Sequence, residues 1–311
     1  MTPQTATTQS TRRERIDMTT IAVVGLGVMG GPMAANLVKA GFDVVGYNRS
    51  AAKVNALVSE GGRGAASVAE AVRDAQVVLT VLPDSPDVEE VVTGEEGVLA
   101  HAAAGTLWID SSTIQPKVAV RLAQAAAQRG LRAIDAPVSG GEAGAREASL
   151  SIMVGGDAMD VLEARPVLEA VGSTIVHVGP SGSGQTVKAA NQLIVAGTIE
   201  LVAEALVFLE AHDVDTQAAV KVLAGGLAGN RILDRKAGSM IAREFTPGFR
   251  VDLHHKDLGI VTSAAREVGV AIPLGAAVAQ LMGALRARGH GSLDHSALLL
   301  LVDELSGRAG T

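Results

Sequence analysis

The sequence predicts an α/β protein in three parts: an N-terminal Rossmann-type domain with a parallel sheet, a long connecting helix, and an all-helical C-terminal domain. Through residue 180, short apolar runs rich in β-branched residues alternate with helical patterns, which is typical of a parallel sheet with helical crossovers. A cluster of Gly, Ser and Pro at 179–184 interrupts this pattern. A mostly apolar helical stretch follows to residue 212, and only helical patterns continue from there.

The chain divides accordingly. We expect residues 1–17 to be a disordered extension, 18–180 the sheet domain, and 181–311 the helical domain, which begins with the long helix at 181–212. Arg12 and Arg13 precede an apolar stretch, as in a twin-arginine export signal, but that stretch is needed as the first strand. We therefore take Met18 as a candidate translation start and expect a cytoplasmic protein.

The composition excludes several classes of protein. The chain is 48% hydrophobic and 19% charged, which is typical of a folded protein. A net charge of -7 and only 2% aromatic residues argue against a nucleic-acid partner, which needs a basic face or stacking rings. There is no Cys, and the seven His show no zinc spacing, so we expect no disulfide and no metal. No apolar run reaches the ~18–20 residues of a bilayer span, so we expect no membrane contact.

The sheet domain begins with a strand and a helix, Val28–Ala40, which Gly41 ends. The predicted strands, in order, are Thr19–Gly25, Phe42–Tyr47, Gln76–Leu82, Thr106–Ile109 and Leu131–Ile134, with two further candidates at Leu150–Val154 and Thr174–Val178.

The first turn has the sequence Gly25-Leu26-Gly27-Val28-Met29-Gly30, a G-x-G-x-x-G pattern between a strand and a helix. The first glycine permits the tight turn, the second lets a pyrophosphate approach the backbone, and the third allows close helix packing. The helix N-terminus faces the anion. A glycine-rich turn without function is the alternative. We predict that residues 25–30 bind a nicotinamide dinucleotide.

The second strand ends at Asn48-Arg49-Ser50, where NAD enzymes usually carry an acidic residue for the ribose hydroxyls. Arg49 is instead suited to pair with a 2′-phosphate, and Asn48 and Ser50 to donate hydrogen bonds to it. This favours NADP over NAD. A solvated surface arginine with use of both cofactors is the alternative.

Two loops follow later strands at the edge where open α/β sheets bind ligands. Leu82 and Pro83 belong to the first, and Thr113 to the second. We expect hydroxyls in these loops to orient a nicotinamide ring. Helix capping by Thr113 is the alternative.

The long helix carries Lys188, Asn191 and Gln192 on one face near its start. Such polar groups are costly in an apolar helix unless they have partners, and the alternative is a solvated stripe. Hydride arriving at a carbonyl carbon leaves negative charge on the oxygen, which an ammonium stabilises and protonates. We predict that Lys188 and Asn191 are catalytic.

Ser139, Gly140 and Gly141 follow the buried strand that ends near Asp135. They predict a strand-to-helix turn whose backbone N–H groups are suited to bind a carboxylate. A plain loop is the alternative.

These segments together resemble the β-hydroxyacid dehydrogenase family, over Met18 to about Leu305. The matching segments are the glycine turn, Asp135–Gly141, Gly184–Asn191 and Lys256–Leu258. The resemblance implies the fold predicted above and a catalytic Lys188. It also implies substrate contacts from Ser139, Gly140, Gly141 and Asn191, and cofactor contacts from Thr113 and Lys256; we add Gln192 as a substrate-binding candidate.

Within the family, three stretches are most similar to the tartronate semialdehyde reductase branch. They are Lys188–Gln192, His254–Leu258 and Leu293–Leu298. Arg49 departs from the acidic residue of many tartronate semialdehyde reductases and is more similar to NADPH-using semialdehyde reductases. Because of this departure, NAD stays an alternative to NADP. This implies NAD(P)H-dependent reduction of tartronate semialdehyde to D-glycerate. The alternatives are a 3-hydroxyisobutyrate dehydrogenase, a succinic or glyoxylic semialdehyde reductase, and a non-catalytic NADP-binding redox sensor.

The amount of apolar helix surface predicts that the chain packs against a second copy of itself. We expect a homodimer, or a dimer of dimers, with the long helix at the seam.

Overall fold

The computed structural model describes residues 19–308. The predicted N-terminal extension and Met18 lie outside the described residues. Within residues 19–308, nine strands form one sheet: β1 (Thr20–Val24), β2 (Asp43–Tyr47), β3 (Arg63–Gly64), β4 (Val77–Thr80), β5 (Leu107–Asp110), β6 (Arg132–Asp135), β7 (Val138–Ser139), β8 (Leu150–Gly155) and β9 (Gly172–Gly179). The helices between them are α1 (Gly30–Lys39), α2 (Ala51–Ser59), α3 (Val68–Val72), α4 (Ser85–Thr93), α5 (Val98–His101), α6 (Pro116–Gln128), α7 (Gly141–Arg146) and α8 (Ala158–Glu169).

The sheet has the order β3-β2-β1-β4-β5-β6-β8-β7, and β9 pairs with β8. From β3 to β6 all neighbouring strands are parallel, as predicted. The order reverses at β1, so the loops after β1 and β4 lie side by side at the carboxyl edge. Ligands bind at such a switch point in open α/β sheets.

Helices cover both faces of the sheet. In β1, Ile21 and Val23 pack into one hydrophobic core and Ala22 and Val24 into the other. Because both faces are buried, the strand is continuously apolar rather than alternating.

The last strands depart from a purely parallel sheet. β8 runs antiparallel to β6 and β7, and β9 is parallel to β8. The physical reason is the short connection, since α7 has only six residues and a parallel neighbour needs a longer crossover. β3 and β7, with two residues each, were not predicted because no periodicity is detectable at that length.

The second part of the chain is helical, as predicted. It consists of α9 (Ser183–Ala211), α10 (Thr216–Ala224), α11 (Arg231–Ile241), α12 (Val251–Glu267), α13 (Pro273–Leu285) and α14 (Leu298–Leu305), with short helical turns at Arg286–His290 and His295–Ala297. α9 is its core element: Ala196, Ile199 and Ala203 are fully buried among α11 to α14. The predicted fold class is confirmed.

By length and composition α9 would also suffice for a membrane span, although polar residues interrupt its apolar sequence. Its most apolar window has a mean hydropathy of 1.9, and 44% of that window is buried within the protein. A buried core helix has the same length and composition, and α9 packs against the sheet domain and against the five other helices of the helical part.

Candidate active site

The glycine turn leaves a space in front of the N-terminus of α1. Gly25 has φ +102°, and a Cβ on Gly30 would come within 1.9 Å of the carbonyl oxygen of Gly25, so both positions require glycine. A Cβ on Gly27 would meet no atom within 4 Å. No side chain caps α1, and its first turn contains no acidic residue. The turn therefore fits the pyrophosphate of a dinucleotide in backbone shape and in charge.

The end of β2 lies beside this turn. The Asn48 side-chain oxygen accepts a hydrogen bond from the backbone N–H of Leu26 at 3.1 Å, which ties the two loops together. The Arg49 side chain is 83% exposed, with its guanidinium 4.0 Å from Asp87. Ser50 stands at the N-cap of α2, but its hydroxyl makes no capping bond, and the first turn of α2 has no acidic residue. A cationic, uncapped helix start is thus open to an anion at this point.

The loop after β5 is held from inside the sheet domain. The Asp110 carboxylate accepts from the Thr80 hydroxyl at 2.7 Å and from the Ser112 backbone N–H at 3.2 Å. Burial raises the pKa of Asp110 to about 6, against the effect of these bonds. The Ser112 hydroxyl accepts in turn from the backbone N–H of Leu82 at 2.9 Å. The loops after β4 and β5 therefore form one surface.

Thr113 does not cap α6. The helix begins at Pro116 with Gln115 at its N-cap, so the capping alternative is wrong. Pro116 starts the helix because its missing N–H needs no partner in the first turn.

Ser139, Gly140 and Gly141 form the predicted turn from β7 into α7. Gly140 has φ 141° and Gly141 φ 66°, conformations that favour glycine. A Cβ on Gly141 would meet nothing within 4 Å, so the backbone is open on that side. The Ser139 hydroxyl donates to the Asn191 side-chain oxygen at 3.4 Å, which brings the turn to α9.

Lys188 lies on the first turns of α9 and is 7% exposed. Burial lowers its pKa to about 8; the charge of Asp257 opposes this shift and that of Lys256 adds to it. The amine is thus largely removed from water and close to an even balance of its charged and neutral forms near pH 8. The alternative of a solvated stripe is wrong for this residue.

Amide side chains beside Lys188 connect to α12. The Asn191 amide donates to the Gln192 side-chain oxygen at 2.8 Å, and Gln192 donates to the Asp257 carboxylate at 2.5 Å. The ammonium of Lys256 lies 2.8 Å from the other Asp257 oxygen and donates to the backbone carbonyl of Thr113 at 2.6 Å. Lys256 thus reaches back to the loop after β5.

Three buried residues next to these were not singled out as functional from the sequence: Asp135, Gln185 and Asp257. The Asp135 carboxylate accepts from the backbone N–H groups of Gly182 and Gln185 at 2.7 and 2.8 Å, and so caps the start of α9. The sequence pattern could have indicated these three residues. Each is a polar residue at the end of a buried strand or within an otherwise apolar helix face.

The other residues predicted for the cofactor flank the same edge. Val28 and Pro83 are exposed, while Met29 is half-buried against the core. Successive contacts therefore link three groups: the glycine turn with the end of β2, the loops after β4 and β5, and Lys188 with Asn191 and Ser139.

Comparisons with known proteins cover both parts of the chain. Residues 20–179 match the NAD-binding domain of 6-phosphogluconate dehydrogenase, and residues 182–302 match the NAD-binding domain of NADP-dependent 3-hydroxyisobutyrate dehydrogenase. The chain is 39% identical to 2-hydroxy-3-oxopropionate reductase of Escherichia coli, over 90% of this chain and 95% of that protein. It is 40% identical to 3-hydroxyisobutyrate dehydrogenase of Pseudomonas aeruginosa, over 90% and 97% of the two chains.

A solved structure shows the same fold. The 3-hydroxyisobutyrate dehydrogenase of Mycobacterium tuberculosis, in a structure named with L-serine, superposes with a TM-score of 0.84 at 38% identity, over 92% of this chain and 99% of that one. The chain therefore belongs to the β-hydroxyacid dehydrogenase family of NAD(P)-dependent oxidoreductases that act on small hydroxyacids.

Proposed function

We propose that this chain catalyses the reversible NAD(P)H-dependent reduction of tartronate semialdehyde (2-hydroxy-3-oxopropionate) to D-glycerate, with Lys188 as the general acid. The observation that carries the proposal is the buried amine of Lys188, beside Asn191 and with a pKa lowered to about 8. An amine with this pKa donates and accepts a proton near neutral pH, as a reversible reduction requires.

The side chains divide the work around the carbonyl group. NAD(P)H, when bound, supplies the hydride to the carbonyl carbon. Lys188 stabilises the negative charge that develops on the oxygen and donates its proton there; in the reverse direction its neutral amine accepts the hydroxyl proton. Ser139 and the backbone N–H groups of Gly140 and Gly141 bind the substrate carboxylate. Asn191 orients the substrate hydroxyl.

Gln192 acts on the substrate by orienting Asn191. Its amide is engaged by Asn191 on one side and Asp257 on the other, and it is 4% exposed. These two bonds decide which way the Asn191 amide faces, because its NH₂ group is the donor to Gln192.

The cofactor residues act at the carboxyl edge of the sheet. We assign the pyrophosphate to Gly25–Gly30, and the nicotinamide side to Leu82, Pro83 and Thr113. Lys256 acts there by holding the Thr113 carbonyl. Arg49 and Ser50 at the start of α2 favour NADP, because a 2′-phosphate gains both the guanidinium and the helix N-terminus. Asn48 acts by joining this tip to the glycine turn.

The choice of substrate is supported by how three stretches pack. Lys188–Gln192, His254–Leu258 and Leu293–Leu298 are the stretches most similar to the tartronate semialdehyde reductase branch. The buried His254 bonds the Gln192 carbonyl at 3.3 Å through Nε2 and His295 at 2.9 Å through Nδ1. The three stretches therefore pack together next to Lys188. Their similarity to the tartronate semialdehyde reductase branch concerns one site rather than three separate segments.

The test is a comparison of kcat/KM for tartronate semialdehyde, methylmalonate semialdehyde, succinic semialdehyde and glyoxylate, with NADPH and with NADH. We expect the highest value for tartronate semialdehyde with NADPH. Higher values for another aldehyde would transfer the assignment to that substrate.

Lys188→Ala separates an enzyme from a redox sensor. We expect a loss of kcat of about 10²–10⁴-fold with NADPH binding retained, since only proton transfer is removed. Unchanged turnover would remove Lys188 from the mechanism, and a wild-type chain that binds NADPH but reduces none of these aldehydes would indicate the sensor.

The proposed partner is a second copy of this chain, packed along α9. Val187, Ile194, Leu201 and Phe208 are spaced by seven residues and are 38–68% exposed. Gly197 stands at the middle of the helix, where a Cβ would meet nothing within 4 Å. A two-fold axis near Gly197 would let two α9 helices approach closely and pair these side chains with their copies.

The face of α9 alone supplies about half of the area that a stable dimer needs. A 29-residue helix is ~44 Å long, and at ~10 Å width one face offers on the order of 400 Å². A stable interface needs about 800 Å² per partner. Leu274 on α13, 78% exposed, extends the surface, because the adjacent Gly275 packs against Leu193 of α9.

A further inference from the structure

The first turn of α9 carries a buried amide that reaches into the sheet domain. Gln185 is 1% exposed. Its side-chain oxygen accepts from the backbone N–H of Ile114 at 3.1 Å, and its NH₂ group donates to the backbone carbonyl of Ser112 at 2.8 Å. One side chain from the helical part thus holds the two peptide groups that flank Thr113.

A second side chain holds the 113–114 peptide group at its carbonyl. The Lys256 ammonium donates to the Thr113 carbonyl at 2.6 Å, from α12. Within the loop after β5, the carbonyls of 112 and 113 and the N–H of 114 are therefore all bonded to side chains of the helical part. The sheet domain holds the two ends of this loop, through Asp110 and Leu82 at Ser112 and through the Ser85 hydroxyl, which accepts from the Gln115 N–H at 3.1 Å.

Gln185 is itself placed firmly. Its backbone N–H donates to the Asp135 carboxylate at 2.8 Å, at the capped start of α9. Lys188 follows three residues later, so the two side chains lie on the same side of the helix. A single helical turn therefore connects the proposed acid to the loop on the nicotinamide side.

We propose that Gln185 is a positioning residue, which sets the distance between the Thr113 loop and the ammonium of Lys188 through its pair of hydrogen bonds to Ser112 and Ile114. The inference rests on the proposed function, in which Lys188 protonates the carbonyl oxygen and the Thr113 loop borders the nicotinamide. Hydride transfer needs reacting atoms at about 3–3.5 Å, and a misplacement of 1 Å costs about 100-fold in rate.

Gln185→Glu tests this, because its hydrogen bonding depends on protonation. A protonated glutamic acid has one donor and one acceptor and reproduces both bonds of the amide. The ionised form loses the donor and sets negative charge against the Ser112 carbonyl. Burial raises the pKa of a carboxyl group, so the change between the two forms falls within a measurable range.

The expected result is a pH-dependent defect. In single-turnover reactions with NADPH, the Q185E rate divided by the wild-type rate should be about 0.01 where the carboxyl is ionised, and should rise towards 1 as it is protonated. The primary isotope effect with 4-deuterated NADPH should be larger at high pH than in wild type, while NADPH affinity stays within about threefold. Gln185→Met should show the same defect at every pH.

Dividing the Q185E rate by the wild-type rate at each pH cancels the pH dependence that both proteins share from other titratable groups near position 185. These are Asp135 at the backbone N–H, Lys188 on the next turn, Lys256 from α12, and Asp110 beyond Ser112. Gln76→Glu is the control, with the same substitution at an exposed glutamine. Gln76 accepts from the Thr20 N–H at 2.6 Å at the opposite edge of the sheet, and its ratio should stay near 1 throughout.

Two results would overturn the inference. One is a Q185E ratio that does not change with pH, together with Gln185→Met within threefold of wild type. The other is a lowered melting temperature in both variants with an unchanged transfer rate, which is what a purely structural role gives. Failure of the proposed function gives a different result: the wild type reduces no semialdehyde, or Lys188→Ala keeps full activity. The ratio of the Q185E rate to the wild-type rate is measured with whichever semialdehyde the wild type reduces.

Discussion

The amine of Lys188 is the residue on which the proposed chemistry depends, and its protonation has a predictable pH dependence. Its pKa lies at about 8 rather than 10.5 because burial disfavours the charged form. Reduction needs the ammonium and oxidation needs the neutral amine.

We therefore predict opposite profiles for the two directions. For reduction, kcat/KM should fall as pH rises through about 8, and for oxidation of D-glycerate it should rise over the same range. Initial rates between pH 6 and 10 measure this. The residual activity of Lys188→Ala should lack the inflection, and an inflection retained in that variant would assign it to another group.

Arg49 should decide the choice between the two cofactors. Arg49→Ala is expected to lower the ratio of kcat/KM for NADPH over NADH by about tenfold, which corresponds to ~1.4 kcal/mol, because an exposed guanidinium–phosphate pair is lost. Arg73→Ala, an exposed arginine before β4 at the other edge, should leave the ratio unchanged. Equal ratios in wild type and Arg49→Ala would mean that Arg49 is only a surface residue.

At the scale of elements, two glycines of the turn between β1 and α1 have different roles. One leaves space for the cofactor, and the other allows the helix to pack against the strand. A Cβ at Gly27 meets nothing within 4 Å, whereas one at Gly30 overlaps the Gly25 carbonyl at 1.9 Å. The two substitutions should therefore fail for different reasons.

We predict that Gly27→Ala keeps the melting temperature of the wild type and weakens NADPH binding at least tenfold, because the methyl group enters the pyrophosphate space.

Gly30→Ala should lower the free energy of unfolding by about 1–3 kcal/mol, because helix and strand are forced apart. Thermal melts and fluorescence titration measure both. Wild-type affinity in Gly27→Ala would contradict the pyrophosphate position; Gly238→Ala, in an open position on α11, is the control.

At the scale of the whole molecule, the exposed apolar face of α9 predicts that two copies of the chain associate along this helix. Leu201→Asp places a charge in the proposed seam, where burial without a partner costs several kcal/mol. We expect a wild-type dimer, or a dimer of dimers, and a smaller species for this variant in analytical ultracentrifugation. Val222→Asp, 77% exposed on α10, should sediment like wild type. A monomeric wild type would remove the proposed seam.

Local patterns in the sequence determined much of this molecule. The alternation of strands and helices, the glycine turn and the uninterrupted helix after 179–184 were all readable, because periodicity and backbone demands act over a few residues. Lys188, Asn191 and Gln192 were found in the same way, as polar residues on one face of an apolar helix.

Only the tertiary structure decided which of these groups touch. The bonds from Gln185 to Ser112, from Gln192 to Asp257 and from Lys256 to Thr113 join residues 65 to 143 positions apart. The antiparallel course of β8 likewise depends on a connection too short for a crossover. A sequence pattern shows which face of an element is buried, but the partner across that face is chosen by how distant elements pack, and no local spacing carries that information.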